Sequence, residues 1–441
     1  MEQCHENEKL DVSHRHLADT CHETLKIIYV HQYFNIPSMP GGSRTYEMAR
    51  RLVAHGHEVH VVTSDRSAVV GRKGWHQTQE DGIHVHWFHV PYHNNMSYRQ
   101  RLSAFVRFAI AASKKARCLG GDVVLATSTP LTIAIPGIHA SRGNKIPMIF
   151  EVRDLWPEMP IAVGAIRHPL LIFLARWLER YAYRHANRVI ALSPGMADGV
   201  VATGYPRHQV EVIPNSCDLD TFMPSEVSAQ RFRRIHPELG EAPIVLYAGA
   251  LGRVNGVGYL VEVAEHLRAR RPDVRFVIMG EGAEADRIRD LAAMKGLLNT
   301  SVFFYPRVAH AKICDAFSAA SVVTSLFVDI PAMQNNSANK FFDGLASGTG
   351  VAINYEGWQA DLLLESGAGL VLSRDTRIAA RQLQRWLENE VGKLAAGRAA
   401  RRLAEEQFSR DLLAARLERA LVSVVEEGRI QPCIKTESRL S

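Results

Sequence analysis

From Leu25 onward one theme repeats: a short run of β-branched and aliphatic residues, then a longer segment with apolar residues at helical spacing. That alternation predicts a parallel sheet covered by helices, because parallel neighbours need a crossover that returns the chain to the same end of the sheet. Lys26 to His31 (KIIYVH) reads as a buried strand, Tyr46 to Ala54 as a one-faced helix, Gly56 as its stop, and Glu58 to Thr63 (EVHVVT) as the next strand. Further strands are predicted at Ile83 to Val90, Val123 to Thr127, Pro147 to Val152, Val189 to Leu192 and Val210 to Ile213. A polar stretch punctuated by prolines, Pro224 to Pro243, then interrupts the series. A second series starts at Ile244 to Ala248 (IVLYA) and runs through Val274 to Met279, Val302 to Tyr305, Val322 to Leu326, Val351 to Asn354 and Gly369 to Leu372. A charged helix from Gly397 to Val424 closes it. The fold class is therefore α/β, with two Rossmann-like doubly wound parallel-sheet domains facing a cleft. The divisions are a leader over 1–24, a first domain over 25–222, a second over 223–405, a closing helical segment over 406–428 and a tail over 429–441.

The 441 residues, 46% hydrophobic and 22% charged, suffice for two cores and exclude a disordered or fibrous chain. The formal net charge of +6 favours anionic partners without choosing among them. The six cysteines are scattered, with no C-x-x-C pair, which suits a reducing, cytoplasmic compartment. The first residues, MEQCHENEKL, lack the basic-then-apolar order of a secretory signal and read as a polar leader. Cys4, His5, His14, His16, Cys21 and His22 in that leader fit no standard zinc spacing. The longest uncharged stretch, Val123 to Ser141, is broken by Pro130 and Pro136, so no transmembrane helix is predicted.

Tyr98 to Arg117 carries Arg99, Arg101, Arg107, Lys114, Lys115 and Arg117 with no acid, and an apolar face from Leu102, Phe105, Phe108 and Ala109. Such a helix can lie on an anionic membrane, each basic residue adding about 1 kcal/mol, or it can be an ordinary half-buried helix. Leu170 to Arg188, with Phe173, Trp177 and Tyr181 among arginines, is read with the same face. No nucleic-acid recognition motif accompanies these charges, and nothing in the sequence sets an oligomeric state.

Gly41, Gly42 and Arg44 lie between the first strand and first helix, where glycines let backbone N–H groups approach a phosphate. The loop is long and lacks G-x-G-x-x-G, which disfavours a nicotinamide dehydrogenase. Glu151-Val152-Arg153-Asp154 closes a strand at the cleft edge. Glu151 or Asp154 can orient or deprotonate a hydroxyl, Arg153 can hold an anion, and a buried arginine–carboxylate pair remains open for one of the acids. The polar run Asn335 to Asn339 leads into a helix at Lys340, offering free N–H groups to sugar or phosphate. Asp218-Leu219-Asp220 looks like a D-x-D metal motif but sits at the predicted interdomain turn.

Five segments, GGSRTYEMARRLVAHGHEVHVVTS, FEVRDLWPE, VIPNSCDLDTF, YAGALGRVNG and NSANKFFDGLASG, occur in the order and spacing of retaining GT-B glycosyltransferases. The chain resembles glycosyltransferase family 4 over Leu25 to Arg410, with its nearest likeness in bacterial surface-polysaccharide enzymes of the N-acetyl-L-fucosaminyltransferase type. The resemblance implies an N-terminal acceptor domain, a C-terminal domain holding a UDP-sugar, metal-independent transfer without a cofactor, and a last helix packed back on the first domain. It further implies a lipid-linked acceptor, and the basic Tyr98 to Arg117 segment is read as attaching the protein peripherally to the inner face of the membrane. In that picture Gly249, Gly252, Arg253 and Asn255 form the donor-diphosphate loop, Asn339 and Asp343 complete the donor site, and Lys340 joins the catalytic group. The chain departs from the wider family at three positions. Ala250 and Asn255 stand where two cations are customary, and Asn335 stands where the first of two glutamates is customary. Arg253 and Lys340 are the candidate replacement cations, since catalysis here rests on positive groups aimed at the departing diphosphate. Asp343 keeps a carboxylate for ribose hydroxyls. The rival readings are an epimerase of UDP-N-acetylhexosamine with the same fold and a catalytically degenerate nucleotide-sugar-binding subunit.

Overall fold

The computed structural model describes residues 23–39, 41–67, 74–92, 96–308 and 310–437. The leader's cysteines and histidines up to His22 lie outside the described residues. Two separate sheets form. The first contains β1 (Lys26–Val30), β2 (Glu58–Asp65), β3 (Trp75–Glu80), β4 (Ile83–His89), β5 (Val123–Thr127), β6 (Met148–Val152), β7 (Arg188–Ala191) and β8 (Val210–Val212), in the order β3-β4-β2-β1-β5-β6-β7-β8. The second contains β9 (Ile244–Ala248), β10 (Arg275–Met279), β11 (Val302–Tyr305), β12 (Val322–Ser325), β13 (Val351–Ile353) and β14 (Gly369–Val371), in the order β11-β10-β9-β12-β13-β14.

All pairings are parallel except β3 with β4. β3 is the strand that sequence reading omits. Its residues, WHQTQE, are polar because it is an edge strand, and it joins β4 through the tight Asp81–Gly82 turn, both residues at positive φ.

β1 shows why these strands are continuous hydrophobic runs. Ile27 and Tyr29 pack into one core with Met48 and Leu52, while Ile28 and Val30 pack into another with Phe108 and Ile138. Helices thus cover both faces of the sheet, the environment of parallel strands. Among the parallel strands of each sheet the order reverses once, between β1 and β5 and between β9 and β12. Such switch points open a crevice at the carboxyl ends of the strands, and both candidate sites lie there.

The closing helix predicted from Gly397 to Val424 is instead two helices, Glu390–Leu403 and Arg410–Glu437, separated by a π-turn and Ser409. The break has a structural cause. Ser409 is extended and pairs with Cys217, where the Cys217 N–H donates to the Phe408 carbonyl at 3.0 Å and the Arg410 N–H to the Cys217 carbonyl at 3.1 Å. The two passages of the chain between domains are therefore tied side by side. Beyond them the last helix inserts Leu413, Leu417, Leu421 and Val424 into the first domain's core, against the Arg44–Ala54 helix. It continues to Glu437, into the segment read as a tail.

Candidate active site

The Gly249–Gly256 loop leaves the end of β9 at the second sheet's switch point. It is braced by the next loop: the Gly249 N–H donates to the Met279 carbonyl at 2.9 Å and the Leu251 N–H to the Glu281 carbonyl at 2.8 Å. Gly280, at φ +152°, is obligatory here, since a Cβ would lie 1.9 Å from the Gly249 oxygen. Sequence reasoning missed this support, although Gly280-Glu281-Gly282 directly after a strand carries the same signal as Gly249.

Lys340 enters from the first turn of the Asn339–Ala346 helix. Its Nζ donates to Asn255 Oδ1 at 2.9 Å and lies 5.0 Å from the Phe327 ring centroid and 5.5 Å from that of Tyr247. Its Cε lies 3.3 Å from where a Gly249 Cβ would be. The side chain therefore presents its ammonium beside Asn255, the loop position at which the family resemblance leads one to expect a cation. Burial lowers the ammonium from 10.5 to about 8. No carboxylate pairs with it among the described residues. A cation held by ring faces and one amide, in the first turn of a helix, is an environment that favours an anion.

The structure brings Asn339 across the cleft to the first domain. A Cβ at Gly42 would lie 3.4 Å from Asn339 Nδ2 and 3.9 Å from the Arg153 guanidinium, so Gly42, Asn339 and Arg153 converge. Asn35 Nδ2 donates to the Gly42 carbonyl at 3.2 Å, and Gly41 packs over the same Asn35 side chain. Arg153 Nη1 is 3.3 Å from His31 Nε2, and His31 Nδ1 is 2.9 Å from the Thr45 hydroxyl. Burial, with Arg153 and Arg66 nearby, holds His31 well below the usual imidazole range, so it is neutral. Asp154 is half-buried and accepts from the Thr129 hydroxyl at 3.0 Å. Burial raises its carboxyl, opposed by that hydrogen bond and by Arg153.

Two expected site residues are engaged elsewhere. Arg44 donates from Nε and Nη2 to Glu151 Oε1, at 3.0 and 2.9 Å, and to the Pro214 and Ile213 carbonyls at 2.5 and 3.0 Å. Glu151 Oε2 accepts from the Thr127 hydroxyl at 2.6 Å. Burial would raise Glu151, but Arg44, Arg153 and the Thr127 bond outweigh it and hold the carboxyl below the ordinary range. With side chains 2% and 0% exposed, the pair is closed to ligands. This corrects the reading of Arg44 as an anion donor and of Glu151 as a group acting on an acceptor. The open alternative of an arginine–carboxylate pair is realised, with Arg44 as the arginine.

Arg253 is exposed in a short 3-10 turn that Gly252 precedes, while Lys340 bonds Asn255 two positions further on. Asp343 faces the interdomain passages: burial raises its carboxyl to about 7, Arg410 opposes the rise and Asp218 adds to it. Its Oδ1 is buried without a hydrogen-bond partner among the described residues. Asn335 lies against the first domain, its carbonyl accepting from the Ser193 hydroxyl at 2.6 Å, while Asn215 binds Ser337 through its N–H at 3.0 Å and its amide at 2.5 Å. Asp218 caps a turn, accepting from the Thr221 N–H at 3.2 Å. No cluster of three or more metal-ligating side chains occurs among the described residues.

Two wound parallel-sheet domains, each with its switch point, make up the GT-B fold. Family models agree: the glycosyl transferase 4-like domain matches residues 41–216 and glycosyl transferases group 1 matches residues 228–329. The chain is 24% identical over 286 residues to WcaI of Escherichia coli (strain K12), a glycosyl transferase named for colanic acid biosynthesis, covering 60% of this chain and 69% of that one. It is 28% identical over 252 residues to the alpha-maltose-1-phosphate synthase of Mycolicibacterium smegmatis, covering 55% and 62%. HepE of Anabaena, solved with UDP and glucose, shares the fold at a TM-score of 0.68 and 16% identity, over 90% of this chain and all of that one. The protein is a glycosyltransferase of the family 4, GT-B type.

Proposed function

We propose that this enzyme moves a sugar, an N-acetylated deoxyhexose, from a UDP donor to a polyprenyl-diphosphate-linked acceptor in bacterial surface-polysaccharide biosynthesis, as N-acetyl-L-fucosaminyltransferases do. The observation that carries the donor half is the uncompensated Lys340 ammonium beside Gly249 and Asn255. It restores at a helix start the cation that the loop lacks. The likeness to HepE, solved with UDP, and the name of WcaI support the donor and the biosynthetic setting.

In the proposed reaction the bond from sugar C1 to the β-phosphate oxygen breaks as the acceptor oxygen bonds to C1 on the same face. The acceptor proton passes to the departing diphosphate, so UDP leaves and configuration is retained. Lys340 and the helix-start N–H groups stabilise the growing charge on the leaving group, and no metal is required for that role. Asp154 orients the acceptor hydroxyl, Asn339 positions the sugar between the domains, and Asp343 Oδ1, without a hydrogen-bond partner among the described residues, accepts from the ribose.

The proposed location is the cytoplasmic membrane surface. None of the helices among the described residues is long and apolar enough to cross a bilayer. The Pro169–Arg184 helix instead exposes Phe173 at 66% and Trp177 at 55% beside Leu170, Leu171 and Leu174, with Arg176, Arg180 and Arg184 on the same element. That is the composition of an interfacial helix.

The test is a panel of UDP-sugars incubated with membrane lipid extract and followed by mass spectrometry. The expected result is lipid product heavier by one sugar residue, with UDP released only when lipid is present. A new UDP-sugar formed from donor alone would instead identify an epimerase, and donor binding without turnover across the panel would identify a binding subunit.

A further inference from the structure

A second pair of cations lies in the first domain, away from Lys340. Arg66 and Arg153 flank the neutral His31, and neither has a carboxylate within ion-pair distance among the described residues. Arg66 donates to Asn35 Oδ1, the side chain that also holds the Gly42 carbonyl, and its guanidinium lies 5.6 Å from the Tyr33 ring centroid. The acids that this pair influences are engaged: Glu151 with Arg44 and Thr127, Asp154 with the Thr129 hydroxyl, and Asp65 with the Ser67 N–H and, at 3.6 Å, His89. Half-buried charges are normally paired, and two such guanidiniums on one rim are stabilised by a ligand carrying more than one negative charge.

The surroundings indicate what that ligand is attached to. Tyr33 packs against Tyr92 at 5.2 Å and Phe105 at 6.4 Å, and Tyr92 against Phe105 at 6.0 Å, making an aromatic wall beside Arg66. Phe105 belongs to the Tyr98–Leu119 helix, which contains no acidic residue. That helix buries Phe108 and Ala112 but leaves Leu102, Val106 and Ile110 exposed at 51%, 45% and 60%. These residues recur every four positions, so they form one apolar stripe starting beside the aromatic wall. A free phosphate or a nucleotide has no use for such a stripe.

We infer that Arg66, with Arg153, holds the diphosphate of a polyprenyl-diphosphate acceptor, and that Tyr33, Tyr92 and Phe105 receive its first isoprene units and pass the chain to the Leu102–Val106–Ile110 stripe. This rests on the proposed lipid-linked acceptor and names where that acceptor binds. It places the acceptor diphosphate on the far side of Gly42 from Lys340, so that the sugar joined to it faces the donor.

The test uses the full chain with saturating UDP, which occupies the Lys340 site, and titrates farnesyl diphosphate or inorganic pyrophosphate by calorimetry. Loss of a charge-assisted contact in Arg66→Ala should weaken both probes by about tenfold or more. Phe105→Ala should weaken farnesyl diphosphate alone. UDP affinity within twofold of wild type shows that either variant is folded. Farnesyl diphosphate binding Arg66→Ala as it does wild type would overturn the site, and equal affinity for the two probes in wild type would overturn the lipid assignment. If wild type failed to bind UDP, the donor reading would fall, an outcome separate from the Arg66 comparison.

Discussion

Removing the Lys340 ammonium is the sharpest perturbation of the donor site. Lys340→Met keeps the aliphatic stem between the Phe327 and Tyr247 rings and deletes only the charge and its bond to Asn255. A charge-assisted hydrogen bond contributes about 1.5–3 kcal/mol, so UDP should bind the variant roughly ten- to hundredfold more weakly. The pH dependence follows from the sign of the shift. Burial favours the neutral amine and brings the ammonium to about 8 in the free protein, so the form competent for a diphosphate is lost as pH rises through that value. Wild-type affinity should fall about fivefold between pH 8 and 9. At pH 8.5 each UDP bound should draw roughly three quarters of a proton from solution as the site is recharged. Calorimetry in two buffers of different ionisation enthalpy measures that proton directly, and Lys340→Met should abolish it. If the variant bound UDP within twofold of wild type, or took up the same proton, Lys340 would not be the diphosphate cation.

Other expectations are equally specific. Asp343 is raised to about 7 by burial, so if its carboxylate accepts from ribose, UDP affinity should fall as pH drops below 7, and Asp343→Asn should flatten that limb in the same titration. Arg44→Met would leave Glu151 buried without its cation and should cost about 3–5 kcal/mol in urea denaturation; a loss under 1 kcal/mol would contradict its structural role. Gly280→Ala forces a Cβ onto the Gly249 oxygen from a positive φ and should lower both the melting temperature and UDP affinity, the strain alone costing about 1–3 kcal/mol. Phe173→Glu with Trp177→Glu should release the protein from anionic vesicles in a sedimentation assay while UDP binding is unchanged.

Both sheets were legible because each parallel strand, covered on two faces, has to be a short hydrophobic run bounded by helix signals. β3 was not, since an exposed edge strand carries no such run, although Asp81-Gly82 marked its turn. The break at Ser409 was hidden for a different reason. The flanking residues have good helical pattern, and only pairing with Cys217, 192 positions earlier, forces the chain straight there; Ser409 accepting from the Leu412 N–H at 3.2 Å is the one local trace. Among site residues, Lys340 could be singled out because the donor loop visibly lacked its cation. Arg44 and Glu151 could not be separated from ligand-binding groups in sequence, because an arginine and a glutamate 107 residues apart give no sign that they meet. His31, which contacts Arg153, and Arg66, whose charge acts on His31, carry no motif and become visible only when the carboxyl ends of β1 and β2 are side by side.

The central claim is that the donor diphosphate lies between the Gly249 loop and the start of the Asn339–Ala346 helix. A crystal structure of the protein soaked with UDP tests it most directly. The account predicts a β-phosphate oxygen within about 3 Å of Lys340 Nζ and a ribose hydroxyl on Asp343. A diphosphate bound at the Gly41–Gly42 loop alone, with Lys340 still donating only to Asn255, would contradict it.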